Sequence, residues 1–167
     1  MATSTVGIGA PRSVYALTGV ATRRGLGLAG TAVIVKDTQK NTLKQISSRV
    51  HTTSPDAPKY EAVISALREG LALGARSITV YCDDPVVVGH LSRDLEVPPE
   101  LHGAYMEVRA LMHRYRRAQV RFLDEGRNRK ARTLAELALS EDGQGTRDYR
   151  SPGLPLGFGE VAEARTR

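Results

Sequence analysis

Asp83 and Asp84 stand side by side at the end of an apolar run, Ser77 to Cys82 (SITVYC), with Pro85 directly behind them. Strand alternation sends neighbouring side chains to opposite faces, so the two carboxylates leave on opposite sides unless the chain turns there. Two more acids, Asp124 and Glu125, open the turn DEGRN. Cations outnumber them: the 167 residues include 24 Lys and Arg against 18 Asp and Glu, a net charge of +6. That balance favours polyanionic partners, nucleic acid before others, by counterion release and long-range steering. Arg23 and Arg24 lie in a Gly-rich turn whose backbone amides can cradle phosphate, although a hairpin needs such glycines for its geometry alone. Arg114, Arg116 and Arg117 end one helical stretch, and Arg127, Arg129, Lys130 and Arg132 follow the next strand. Such runs are either a seat for a phosphate backbone or a solvated helix face. His51, His90, His102 and His113 show no metal-pair spacing, and no Ser-His-Asp arrangement can be argued.

The lone Cys82 rules out an intramolecular disulfide and a cysteine-based zinc cluster. Within its apolar run it reads as a small buried hydrophobe. No stretch approaches the roughly 18 apolar residues of a membrane span, and the first residues lack the basic start and long apolar run of a secretory signal. A cytoplasmic protein without membrane contact is the expectation.

The elements that must position these residues follow from punctuation and period. Residues 1–12 form a loose leader. Ser13 to Gly19, Thr31 to Val35 and Leu43 to Val50 read as three antiparallel strands. Ser54 to Pro58 breaks the chain and caps a helix, in which Tyr60, Val63, Ile64, Leu67 and Leu71 keep the helical period until Gly74. Ser77 to Cys82 reads as a strand buried on both faces, and Pro85 to Ser92 as a short helix. Glu100 to Arg117 is a longer helix with Leu101, Tyr105, Val108, Leu111 and Tyr115 in its apolar stripe. Gln119 to Leu123 and Arg129 to Leu139 give a fifth strand and a closing helix. Residues 141–167 are rich in Gly and Pro without a period and read as a flexible tail, whose GLPLGFG segment could dock a protein partner. With four arginines and five acids this segment holds −1, so the preceding residues hold +7.

Residues Lys59 to Val88 (KYEAVISALREGLALGARSITVYCDDPVVV) resemble the centre of the ribonuclease H family. There a Glu-Tyr opens a helix, Leu-Gly-Ala closes it, and a strand ends in Asp before a Val-rich helix. VRFLDEGRNRKARTLAELAL is similar to the family's closing strand, turn and helix, and YALTGVATRRGLGLAGTAVIV more loosely to its first hairpin. The resemblance covers roughly 13–140. It implies an α/β domain: a ribonuclease H-like five-stranded mixed sheet with helices on both faces. It also implies two magnesium ions held by four carboxylates. Those four positions fall on Thr18, Lys59, Asp83 and Arg132, so one carboxylate remains and two are replaced by cations. No cofactor is therefore expected, with magnesium only if Asp83, Asp84, Asp124 and Glu125 rebuild a site. The expected partner is nucleic acid, RNA-containing duplex above all, met by Arg23, Arg24, Lys59, Arg114, Arg116, Arg117, Arg127, Arg129, Lys130 and Arg132. A protein-interaction module on the same fold and a divergent nuclease are the alternatives. Lys59 and Arg132 are both expected to pair with Asp83, and Glu136 with Arg132.

Overall fold

The computed structural model describes residues 11–23, 27–52 and 54–140, together with the backbone of 145–148. Runs rich in β-branched residues form three long antiparallel strands, β1 (Ser13–Arg23), β2 (Leu28–Asp37) and β3 (Thr42–His51). β1 passes straight through Gly19, where the sequence suggests a stop. Gly19 is a contact point and not a breaker: a Cβ there would lie 2.7 Å from the backbone nitrogen of Arg132. Pro58 in the first turn and the apolar period build α1 (Ala57–Ala72), followed by β4 (Ser77–Cys82) and α2 (Pro85–Leu91). Next come α3 (His102–His113), β5 (Arg117–Phe122) and α4 (Arg129–Ser140). α3 ends sooner than its apolar stripe suggests, because the amides of Arg116 and Arg117 turn to the carbonyl of Arg76 (2.8 and 3.4 Å) and start β5.

The five expected strands stand in the order β3-β2-β1-β4-β5, with β4 parallel to β1 and β5 and the rest antiparallel. A short β6 (Gly145–Asp148) pairs with β3 and carries the sheet past residue 140. An edge strand offers a row of unpaired backbone groups, and four residues suffice to take up part of it. The rest of the 141–167 segment lies outside the described residues, as do Arg24 and the first ten residues.

Alternation along β1 separates two faces. Val14, Ala16 and Thr18 point to one side with Val33 and Val35, where α1, α2 and α3 supply Tyr60, Leu67, Val87 and Val108, and the turn after α3 supplies Tyr115, to the main core. On the other side Gly19, Gly30 and Ala32 lie beneath Ala131, Ala135 and Ala138 of α4. Small residues on both partners let this helix approach the sheet closely.

β4 corrects an expectation. Ile78, Val80 and Cys82 are buried, but Ser77, Thr79 and Tyr81 are only half-buried. The strand is covered on one face, because α4 packs across β1, β2 and β3 and does not extend over β4 and β5. No helix among the described residues is long and apolar enough to cross a membrane.

Candidate nucleic-acid interface at a charge-inverted cleft

The carboxyl ends of β1 and β4 and the first turns of α1 and α4 converge on one cleft. β1 delivers Thr18, whose hydroxyl donates to the carbonyl of Tyr81 (2.9 Å). β4 delivers Asp83 and Asp84. The chain is still extended at Asp84 (φ −108°, ψ 112°), so strand alternation sends the two carboxylates to opposite sides.

Asp84 turns to the α1 side. One oxygen caps α2 by accepting from the amides of Val86 and Val87 (2.9 and 3.0 Å), and the other pairs with the Lys59 ammonium. Lys59 also holds Asp56, three residues before it (3.1 Å). Burial pulls the Lys59 pKa down, but the hydrogen bonds and charges of Asp84 and Asp56 outweigh it, and the net shift is upward. Burial pushes Asp84 up, and the Lys59 bond with the two amides more than reverses this, leaving it below the usual value. Both groups are held in their charged forms.

Asp83 turns to the α4 side. Its Oδ2 accepts from Nδ2 of Asn128 (3.1 Å) and lies 3.9 Å from Nε of Arg132. Arg132 makes its closer pair with Glu125 (2.6 Å). Asn128 is 1% exposed and also donates to the carbonyl of Thr18 (2.8 Å), tying β1 to the start of α4. Its Oδ1 has no hydrogen-bond partner. Lys59 therefore pairs with Asp84 where Asp83 was expected, and Arg132 pairs with Glu125 where Glu136 was. Asn128 and Asp56 join the constellation unannounced. Asn128 reads in sequence as an ordinary turn residue, whereas the three-residue spacing of Asp56 and Lys59 was a legible signal.

This donor set does not fit two magnesium ions. Hard cations need clustered carboxylate oxygens, and of the four places that the resemblance implies, three carry a hydroxyl, an ammonium and a guanidinium. The spare acids are committed elsewhere: Asp84 caps α2, and Asp124 accepts from the amide of Arg127 (3.2 Å). Among the described residues no three acidic, histidine or cysteine side chains gather where they could hold a metal.

The cations divide into two groups. A cleft of about 390 Å³ beside the end of β1 is lined by Thr22, Arg23, Arg132, Glu136 and Leu139, so Arg23 and Arg132 share a wall. Arg127, Arg129 and Lys130 flank Asn128 at the same rim, and Arg129 and Lys130 are exposed there. Arg114, Arg116 and Arg117 stand at the other end of the strands, since Arg117 pairs with Ser77 and the six residues of β4 separate it from Asp83. At about 3.3 Å per residue that is on the order of 20 Å. His90, which as a lone histidine suggests a surface or half-buried place, is buried and shares a hydrogen bond with the Tyr60 hydroxyl (2.9 Å), whose pKa burial raises to about 12.

The strand order, the helices on both faces and the cleft at the ends of β1 and β4 define a ribonuclease H-like α/β domain. The chain belongs to the reverse transcriptase-like family, whose pattern it matches over residues 17–138. It is 27% identical over 120 residues to the bifunctional protein Rv2228c of Mycobacterium tuberculosis, a match that covers 71% of this chain and 33% of that protein. The chain thus spans about a third of the length of the curated relatives it matches. The solved N-terminal RNase H domain of Rv2228c superposes with a TM-score of 0.72 at 25% identity, covering 77% of this chain and 94% of that one. RNase H1 from Halobacterium salinarum gives 0.73 at 20% identity over 77% and 98%. LC11-RNase H1, solved in complex with an RNA/DNA hybrid, gives 0.71 at 21% over 76% and 96%.

Proposed function

We propose that this chain is a catalytically inactive ribonuclease H-like domain that binds nucleic acid, with RNA-containing duplex as the favoured ligand, in a cytoplasmic setting. The observation that carries the reading is the inversion of charge in the cleft: Lys59 and Arg132 stand where the family's carboxylates would hold metals. An ammonium and a guanidinium meet phosphate oxygens directly. Arg23, Arg127, Arg129 and Lys130 extend the positive rim along which a backbone runs. The similarity to a protein solved with an RNA/DNA hybrid supports the choice of ligand.

Anisotropy of a labelled RNA/DNA hybrid tests this. Binding should weaken at least tenfold when Lys59 and Arg132 are both replaced by Met, and cleavage should be absent in magnesium and in manganese. No binding at low salt would sink the reading. Metal-dependent cleavage that Asp83→Asn abolishes would put a divergent nuclease in its place.

A further inference from the structure

α4 rests on Gly19 and Gly30 and leaves uncovered the part of its sheet face around the start of β1, the end of β2, β4 and β5, which carries a pattern the cleft does not use. Strand alternation, with Leu17 opposite Tyr81 and Tyr15 opposite Thr79, puts both tyrosines on this face of the adjacent central strands. Their rings meet edge to face, with centroids 6.3 Å apart and planes at 82°. Neither is buried. Around them the same registers place three cations: Lys36 opposite Tyr15, Arg121 opposite Tyr81, and Arg117 opposite Ser77. None of the three has a salt bridge among the described residues. The carboxylate whose charge reaches Tyr15 is Asp37, and its oxygens are taken by the amides of Gln39 and Asn41 and by the Asn41 side chain (2.8, 2.9 and 3.1 Å).

We infer that this face binds single-stranded nucleic acid, with bases stacked on Tyr15 and Tyr81 and phosphates passing Lys36, Arg117 and Arg121. Aromatic rings on a solvent-facing sheet stack unpaired bases without regard to sequence, and flanking cations track the backbone. A duplex hides its base faces and gains nothing from the rings, so the charge and the aromatics together select a single strand. The inference is separable from the cleft reading: the face borders the cleft at Asp83, two residues past Tyr81, but uses other residues and another strandedness.

The chain has six tyrosines and no tryptophan, so stacking can be read as quenching of tyrosine emission. Short oligouridylate and oligothymidylate should both quench it, and a preference for the first would add recognition of the 2′-hydroxyl. Tyr15→Leu with Tyr81→Leu should weaken both by about tenfold or more, while hybrid binding is kept. Tyr15→Phe with Tyr81→Phe should retain the affinity. If the leucine variant does not fold, Lys36→Ala with Arg121→Ala probes the same surface and should lower both the oligonucleotide affinity and its salt dependence. Absence of quenching and binding at low salt, as when another segment or a protein partner occupies the face, overturns the inference, as does undiminished binding by the leucine or alanine variants. Loss of hybrid binding with oligonucleotide binding intact overturns the cleft reading alone.

Discussion

The ion pair between Lys59 and Asp84 joins the first turn of α1 to the end of β4. Side chains on both sides are partly shielded, so removing one partner leaves a charge that solvent screens only in part. Lys59→Met is expected to destabilise the fold by about 1–2 kcal/mol at neutral pH, between the surface and fully buried cases. The pH dependence follows from the directions of the shifts. Asp84 lies below its usual 3.8, so its contribution stands above that value and is lost as pH falls through the lower folded pKa. Lys59 lies above its usual 10.5, so its contribution stands below that value and is lost as pH rises through the higher folded one. Urea titrations should show the wild type's advantage over Lys59→Met between these limits and shrinking on the acid side. Asn128→Ala should cost about 1–3 kcal/mol by the same measurement, because the buried carbonyl of Thr18 loses its donor.

α4 gives the clearest case at the scale of elements. It lies directly on glycines: a Cβ on Gly30 would be 2.9 Å from the carbonyl carbon of Ala135 and closer still to its oxygen. Backbone cannot yield as a flexible side chain does. Gly30→Ala should therefore cost about 1–3 kcal/mol or more and lift α4 from β2. Since α4 also places Arg132, hybrid affinity should fall with the melting temperature. Gly103, in the first turn of α3, is the contrast: a Cβ there meets nothing within 4 Å. Gly103→Ala should raise stability by up to about 1 kcal/mol, seen as a higher melting temperature and unchanged binding. Tyr115 makes a comparable fastening on the other face, its hydroxyl donating to the Leu67 carbonyl where the glycine at 70 leaves room.

The whole molecule sorts its positive charge by place. The rim of the cleft, with Arg23, Arg127, Arg129 and Lys130, is about a strand's length from Arg114, Arg116 and Arg117. The open sheet face lies between the far group and the end of β4. Two surfaces of different character predict two salt dependences. Hybrid binding at the rim, with about five or six phosphates neutralised, should lose affinity with a log–log slope of about −5. Single-strand binding should be shallower, because fewer cations take part, each released charge counts for less, and stacking is insensitive to salt. Parallel titrations of the two ligands measure this directly, and equal slopes would mean one shared surface.

Much of the architecture was legible in the chain because it rests on local rules. Ser77 to Cys82 marks β4 to the residue, Pro58 and Pro85 open their helices, and the period from Tyr60 to Leu71 specifies the buried face of α1. The identities of Thr18, Lys59 and Arg132 were equally plain, since a sequence states them without coordinates. Partners were not legible. That Lys59 reaches Asp84, that Asp83 meets Asn128, and that Arg114 is remote from the cleft depend on which side of a strand each residue faces and on elements distant in sequence. An apolar run likewise does not say whether a helix covers one face or two. Composition and period act within a few residues and so determined most of the elements and the positive charge. Only packing decided that Tyr15 and Tyr81 stay partly exposed: α4 rests on Gly19 of β1 and Gly30 of β2, past Tyr15 along its strand and short of β4.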